Sequence, residues 1–320
     1  MYEAFFGLRE SPFQLTPDPG YLMLTPTHEE ALRTIEYGLS ARKGIVLIVG
    51  DAGTGKTTIV RSVVRPKLVR PGRGVDHIVY VRNPRLSRDE FYDELARGFA
   101  LSERAATSKA RFLSELEPIL AERHARGELC ALVIDEAQAL PDDVLEEVRL
   151  LSNLESDTHK LLPLVLAGQP EIAARLNRPS LKHFKQRVAL RARLRALTAV
   201  ETAAYIGGRA QLAGGDGGRL FSSEAVWTIF AASRGIPRTI GVICDNALLA
   251  GFAADERPVR RSTVEEVCHD LELHVDNATM TKLDADRNAP PQPADRPWRR
   301  RIRAIVADIP QLRRAGRTRP

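Results

Sequence analysis

The stretch Gly50-Asp51-Ala52-Gly53-Thr54-Gly55-Lys56-Thr57 decides the fold of this 320-residue chain. It follows a continuous apolar run, 44–49, typical of a strand buried on both faces, and it leads into a predicted helix over 58–64. Glycines let the backbone curve around phosphate, and the N–H groups at a helix start point toward it. The pattern predicts a phosphate-binding loop formed by Gly50, Asp51, Ala52, Gly53, Thr54, Gly55, Lys56, Thr57 and Thr58.

Particular roles follow for two of these side chains. Lys56 is expected to contact the β- and γ-phosphates of ATP, and Thr57 is expected to hold Mg²⁺ through its hydroxyl.

A second apolar run, 129–134, predicts a strand that ends in Asp135 and Glu136. Ligands bind at the carboxyl ends of strands in parallel sheets, so Asp135 is the second predicted Mg²⁺ ligand. Glu136 then lies near the γ-phosphate, where a carboxylate can activate water, which favours hydrolysis over transfer.

Strand and helix patterns alternate over the first half of the chain. Further strands are predicted over 77–81 and 162–167, and helices over 27–40, 109–126 and 142–154. Another helix begins at Ser87, with Glu90 three residues on as a capping box. This alternation predicts an α/β fold, a P-loop NTPase with a mainly parallel sheet and helices on both faces.

The strand pattern disappears from about residue 197. Helices are predicted to start at Thr198, near Ser222, near Pro237 and at Ser262, and capping boxes with Glu201 and Glu265 support the first and the last. We therefore expect a small all-helical lid domain. The predicted organisation is an N-terminal segment with the first helix at 1–40, a nucleotide-binding α/β domain at 41–196, the lid at 197–275 and a basic tail at 276–320.

Composition limits the remaining possibilities. The chain is 43% hydrophobic and 28% charged, as in ordinary globular proteins. Its start lacks the features of a secretory signal, and its longest nearly apolar stretch, 239–254, is shorter than the roughly 20 residues that span a bilayer. Three widely spaced cysteines without metal-ligand spacing indicate buried thiols in a reducing compartment. These features predict a cytoplasmic protein without a signal peptide or a transmembrane helix.

The basic excess of the chain lies in its tail. Residues 282–320 contain eleven Lys or Arg and four Asp, whereas the preceding 281 residues carry 36 basic and 37 acidic side chains. Trp298, Ile302, Ile305 and Ile309 recur at helical spacing among arginines, as in a basic amphipathic helix on an anionic surface. We hypothesise peripheral contact with the inner face of the membrane. A solvated disordered tail and nucleic-acid binding remain alternatives.

Three further polar residues stay ambiguous from the pattern alone. Gln169 ends the fourth predicted strand, where its amide could touch the γ-phosphate or simply belong to a turn. Arg187 lies among other arginines that could form a solvated basic face. Arg238 sits at a helix start, where a cation opposes the helix dipole and an anion could compensate it.

Several stretches together carry a resemblance to a known family. The chain resembles AAA+ ATPases, and more narrowly secretion ATPases of the ExeA type (general secretion pathway protein A) and their relatives at exosortase loci. The resemblance covers roughly residues 1–275 and rests on MYEAFFGL (1–8), PFQLTPDP (12–19), IDEAQ (134–138), RLLSNLE (149–155), GQPE (168–171), QRV (186–188) and GIPR (235–238).

The resemblance implies roles for the ambiguous residues. Gln169 would be sensor 1, Arg238 would be a sensor 2 that contacts the nucleotide from the lid, and Arg187 would be an arginine finger acting in trans. It also implies ATP and Mg²⁺ as cofactors and a homo-oligomer, expected to be a ring. The resulting catalytic set is Lys56, Glu136, Gln169, Arg187 and Arg238.

The expected function is an Mg²⁺-dependent ATPase serving secretion or cell-envelope assembly, with a secretion-apparatus protein as partner. Proteins of the ExeA type continue into a transmembrane helix and a peptidoglycan-binding region, neither of which this sequence contains. TniB-like transposition ATPases also share the core, so a DNA-acting ATPase is the alternative. A signalling switch that binds ATP and turns over slowly is a third possibility.

Overall fold

The computed structural model describes residues 1–14, 24–64, 75–82, 85–156, 159–216 and 218–274. The predicted tail at 276–320 lies outside these ranges, so its contact with a membrane or with nucleic acid stays a prediction.

Among the described residues, five parallel strands form one sheet at the centre of the first half, in the spatial order β2 (His77–Val81), β3 (Cys130–Ile134), β4 (Leu164–Gly168), β1 (Ile45–Val49) and β5 (Val188–Arg193). Alternate side chains of a strand face opposite sides: Ile45 and Leu47 pack into one helical layer, and Val46 and Ile48 into the other.

Helices cover both faces of this sheet, which confirms the predicted α/β fold. On one face lie α2 (Pro26–Ser40) and α3 (Lys56–Val64). The other face is covered by α4 (Arg88–Phe99), α5 (Lys109–Ala125), α6 (Asp142–Leu151), α7 (Pro170–Arg175) and α8 (Lys182–Arg187).

Strand β5 is an element that the sequence patterns do not predict. Within the part of the chain that the structure describes, it lies at the edge of the sheet and pairs with β1. Leu190 and Ala192 pack toward α2 and α3, whereas Arg191 and Arg193 are exposed. Because Arg191 and Arg193 occupy its exposed face, β5 lacks the continuous apolar run by which the buried strands were predicted.

Smaller differences occur at element ends. The predicted strand over 162–167 is β4 at Leu164–Gly168, and the predicted helix over 142–154 ends at Leu151. The predicted capping box of Ser262 with Glu265 is wrong, because the N-cap of this helix, α12 (Arg261–Asp270), is Arg260, two residues before Ser262. The Glu256 carboxylate instead accepts a hydrogen bond at the start of this helix, from the backbone N–H of Arg260 at 3.2 Å.

Four helices form the predicted C-terminal helical region, and the N-terminal segment packs into their core. Tyr2, Phe6, Leu8 and Phe13 are buried among apolar side chains of these helices. The Arg209 guanidinium donates to the backbone carbonyl of Pro12 at 2.6 Å. The helices are α9 (Ala199–Leu212), α10 (Ser223–Ser233), α11 (Pro237–Ala253) and α12 (Arg261–Asp270), and the segment contains α1 (Glu3–Phe6).

Residues grouped together at 1–40 in the sequence therefore divide between two cores. Residues 2–13 pack with the C-terminal helices, whereas α2 packs on the sheet. The reason is that α11 buries its apolar side chains partly against the N-terminal aromatic rings, a contact between distant parts of the chain.

We expect Phe6→Ala to lower the free energy of unfolding by about 3–5 kcal/mol, because it removes a ring that is 2% exposed and leaves a cavity. The measurement is urea denaturation. Val200→Ala, at a side chain 77% exposed, is the control and should change it by no more than about 0.5 kcal/mol. Equal effects of the two substitutions would show that the N-terminal segment is not part of this core.

Candidate functional site

The loop from Gly50 to Thr57 joins the carboxyl end of β1 to the start of α3. Gly53 and Gly55 have φ angles of 79° and 96°, in the left-handed region that favours glycine. The Thr54 hydroxyl and backbone N–H both donate to the carbonyl of Asp51, at 2.7 and 3.3 Å. This tight turn gives the loop the curvature that a phosphate-binding backbone requires.

Lys56 lies inside the curve of this loop. Its ammonium donates to the carbonyls of Gly50 and Asp51 at 2.8 and 2.9 Å, and the residue is 4% exposed. Burial lowers the pKa of Lys56, and the charges of Glu136 and Asp135 partly oppose that effect. The loop therefore holds one cation next to two carboxylates, where the phosphates of a nucleotide would bring further negative charge.

The predicted metal ligands are in direct contact. The Thr57 hydroxyl donates to Asp135 Oδ2 at 2.6 Å, and the Tyr80 hydroxyl donates to the same oxygen at 3.2 Å. Burial, followed by the charge of Asp135, raises the pKa of Tyr80 to about 12. A hydroxyl beside one carboxylate fits Mg²⁺, which takes oxygen ligands and keeps positions for water and phosphate. Within the described ranges no cluster of three or more His, Cys, Asp or Glu could hold a metal by itself.

Glu136 adopts an unusual backbone conformation, with φ 52° and ψ 37°. Its backbone N–H donates to Asp135 Oδ1 at 2.9 Å. Its carboxylate accepts from Gln138 Nε2 at 2.6 Å and from Gln169 Nε2 at 3.4 Å. Gln138 Oε1 accepts from the backbone N–H of Gln169 at 2.9 Å, which fixes the direction of the Gln138 amide. Gln138 thus links the acid after β3 to the end of β4.

Arg238 lies beside the loop at the start of α11. Its backbone N–H donates to the carbonyl of Gly53 at 3.3 Å. A Cβ added at Gly53 would lie 2.9 Å from Arg238 Cβ, so this glycine is needed for the close approach. The side chain of Arg238 is exposed.

Arg187 is not brought to this site. It is exposed and directly precedes β5, whose first residue pairs with Ile45 at the amino end of β1. The loop leaves the other end of β1, after Val49. The length of a five-residue strand, at about 3.3 Å per residue, therefore separates Arg187 from the loop of its own chain.

His28 is a further residue at the loop, and the sequence patterns do not single it out. Its Nε2 lies 2.8 Å from the carbonyl of Thr54, and its Nδ1 lies 2.8 Å from the Thr25 hydroxyl and 3.3 Å from the backbone nitrogen of Thr25. The Thr54 carbonyl only accepts, so Nε2 carries a proton; the backbone N–H of Thr25 only donates and the Thr25 hydroxyl can donate, so we assign Nδ1 as the acceptor and the ring as neutral. Burial lowers the pKa of His28, and its bond to Thr54 and the charge of Glu201 partly oppose this shift.

The structure therefore gathers most of the predicted residues and adds others. Gln138, Tyr80 and His28 contact the predicted site residues without having been predicted as members of the site. Gln138 lies in the IDEAQ stretch two residues after Glu136, which could have indicated it. Tyr80 lies on a predicted strand and His28 near a predicted helix start, and neither position carries a signal of its own.

Comparisons with known proteins agree with this architecture. A family model described as an AAA domain matches residues 40–176. General secretion pathway protein A of Aeromonas hydrophila is 37% identical over 272 residues, which cover 85% of this chain and 48% of that protein. The chain therefore spans about half the length of this curated relative.

Solved structures share the fold. ORC2 of Aeropyrum pernix superposes with a TM-score of 0.58 at 17% identity, over 81% of this chain and 71% of that chain. Cdc6p of Pyrobaculum aerophilum gives 0.55 at 18% identity, over 77% and 66%. Among the described residues no helix combines the length and the apolar character needed to cross a membrane.

The neutral state of His28 predicts a pH dependence of stability. The pKa of His28 is lowered in the folded chain, whereas in the unfolded chain it has its usual value of about 6.5. Below that pH the unfolded chain therefore binds a proton at His28 more readily than the folded chain does. The contribution of neutral His28 to the free energy of unfolding is therefore fully present above about pH 6.5, and it is lost as the pH falls through the lowered pKa. We expect the free energy of unfolding, measured in urea, to fall more steeply below that pH than in His28→Gln. Parallel curves for the two proteins would contradict the assignment.

Proposed function

Because this chain is an AAA-type ATPase related to general secretion pathway protein A, we propose that it hydrolyses ATP in an Mg²⁺-dependent reaction at the carboxyl edge of its sheet. The observation that carries this proposal is the contact of Thr57 with Asp135 beside Glu136 and Gln169. This contact places the proposed metal ligands, Thr57 and Asp135, at the end of the phosphate-binding loop and next to the candidate base Glu136. Such an arrangement is suited to hydrolysis.

Each side chain has a distinct part in the proposed reaction. Lys56 and the backbone N–H groups of the loop offset the negative charge of the phosphates. Thr57 and Asp135 would hold Mg²⁺, which supplies charge stabilisation at the phosphate oxygens. The Glu136 carboxylate orients the attacking water and accepts its proton. Gln138 and Gln169 hold that carboxylate in place through their amides.

Arg187 would complete the site of a neighbouring subunit. Its position at the opposite end of β1 from the loop supports action in trans, because it is too far to reach a nucleotide bound by its own chain. An arginine supplied in this way neutralises charge that develops on the γ-phosphoryl group. The active form would then be an oligomer, and we propose a ring. Arg238 would sense the nucleotide from the helical region of the same chain, since its backbone contacts Gly53.

The pathway we propose is secretion or cell-envelope assembly, with a protein of the secretion apparatus as partner. Its support is the similarity to general secretion pathway protein A, which covers 85% of this chain. Three buried free cysteines fit a reducing compartment such as the cytoplasm. No observation favours the DNA-acting alternative over this proposal.

We expect Lys56→Ala and Glu136→Gln to separate binding from chemistry. Lys56→Ala removes the cation inside the loop and should weaken ATP binding. Glu136→Gln keeps the loop intact but removes the base, so it should bind ATP normally while kcat falls by about 10²–10⁴-fold. Calorimetry and a phosphate-release assay measure the two effects. Normal turnover by Glu136→Gln would refute the proposed base.

Gln138 should affect turnover but not binding, because it contacts Glu136 and not the loop. We expect Gln138→Leu to lower kcat by about tenfold, as expected for a misplaced general base, with unchanged affinity for ATP. The control is Gln211→Leu at an exposed glutamine of α9, which should match the wild type. A Gln138→Leu protein with wild-type kcat would remove Gln138 from the mechanism.

Mixing experiments test Arg187. Arg187→Ala should bind ATP but lose about 10³–10⁵-fold in kcat. Adding Lys56→Ala subunits, which bind ATP poorly but retain Arg187, should restore part of the activity if Arg187 acts in trans. Arg191→Ala, at another exposed arginine of the same segment, is the matched control and should keep full activity. Absence of rescue in the mixture would count against the finger role.

A further inference from the structure

A histidine outside the loop makes a direct hydrogen bond to the loop's backbone. His28 belongs to the first turn of α2, where Thr25 and His28 form a capping box. Its two ring nitrogens have different partners: Nδ1 accepts from the hydroxyl and the backbone N–H of Thr25, at 2.8 and 3.3 Å, and Nε2 donates to the carbonyl of Thr54 at 2.8 Å. One side chain therefore caps a helix and holds the loop.

The second bond orients one peptide group of the loop. In a trans peptide the C=O and the following N–H point in opposite directions across the same plane. Because the Thr54 carbonyl is directed at His28, the N–H of Gly55 is directed away from it. Successive N–H groups of such a loop are the donors to phosphate. The imidazole thus determines the direction of one of these donors.

The surroundings leave little freedom for another arrangement. Thr54 is fully buried and His28 is 6% exposed. A Cβ added at Gly55 would lie 3.0 Å from His28 Nε2, so a side chain at position 55 would press against the ring. Gly55 is therefore required by this contact as well as by its φ angle of 96°.

We propose that His28 is a positioning residue for phosphate binding, which fixes the Thr54–Gly55 peptide so that the Gly55 N–H is available to the β-phosphate of a nucleoside diphosphate or triphosphate. The proposal rests on the proposed function in that it assumes nucleotide binding at this loop. It adds that α2 takes part in setting the affinity for phosphate.

Two substitutions separate the contacts of Nδ1 with Thr25 from the bond of Nε2 to Thr54. The amide nitrogen of His28→Gln reaches the place of Nε2, so this variant keeps the bond to Thr54 and loses the cap. The shorter amide of His28→Asn lies near the place of Nδ1, so it keeps the cap and loses the bond to Thr54. Both variants stay polar and of similar size, which makes each the control for the other.

The measurement is the affinity of the full chain for ADP and for AMP, which lacks the β-phosphate, by competition with a fluorescent ADP analogue. His28→Asn should bind ADP about tenfold more weakly, the loss of roughly one hydrogen bond to a charged group, with AMP binding unchanged. His28→Gln should bind ADP within about threefold of the wild type, although its midpoint of urea denaturation falls because the cap is lost.

Other outcomes overturn the proposal. Equal loss of ADP affinity in both variants would show a merely structural role, and unchanged affinity in His28→Asn would show that the peptide keeps its direction without the ring. A parallel loss of AMP affinity would show that the effect is not specific to the β-phosphate. If the wild type itself binds no ADP, the proposed nucleotide site fails and this proposal fails with it, whereas failure of His28 alone leaves binding by the wild type intact.

Discussion

Parallel pairing of the central strands is the constraint on which the rest of the structure depends. In a parallel ladder all carboxyl ends lie at the same edge of the sheet. Val49 at the end of β1 pairs with Gly168 at the end of β4, and Ile134 of β3 pairs with Leu166. Residues far apart in the sequence therefore become neighbours one step beyond their strands. This geometry brings the loop, the two acids and Gln169 together, and hydrogen bonds such as that from Thr57 to Asp135 then join them.

The loop is held from two sides by parts of the chain that do not belong to the sheet. His28 of α2 binds the carbonyl of Thr54, and the start of α11 approaches Gly53 through Arg238. Each contact lies beside a glycine with positive φ, Gly55 next to His28 and Gly53 next to Arg238, where a larger residue would collide with the neighbouring side chain. The two glycines are therefore needed for the close approach of α2 and α11 as well as for the curvature of the loop. A substitution in α2 or α11 that removed one of these contacts would therefore alter the backbone of the loop, although the loop's own sequence stayed the same.

The sequence was sufficient for features that are local and insufficient for those that depend on distant packing. The loop, Asp135 and Glu136 could be predicted because each follows an apolar strand whose pattern is complete within a few residues. Strand β5 could not, because one of its faces is exposed and arginines fill that face. The burial of Phe6 depends on helices more than 190 residues later in the chain. His28 has an ordinary place near a helix start, and its second bond exists only after α2 packs against the loop.

The conformation of Glu136 explains how two consecutive acids serve the same site. Successive side chains of an extended strand point to opposite faces, so Asp135 and Glu136 would diverge if β3 simply continued. At φ 52° the chain instead turns into a short 3₁₀ helix at Ala137–Ala139. A non-glycine residue in this region costs about 1–2 kcal/mol, and the bonds from Glu136 N–H to Asp135 and from Gln138 to the Glu136 carboxylate offset that cost. This torsion lets Asp135 face Thr57 while Glu136 faces Gln169, so one backbone conformation gives the two acids the separate positions that the proposed metal-binding and water-activating roles require.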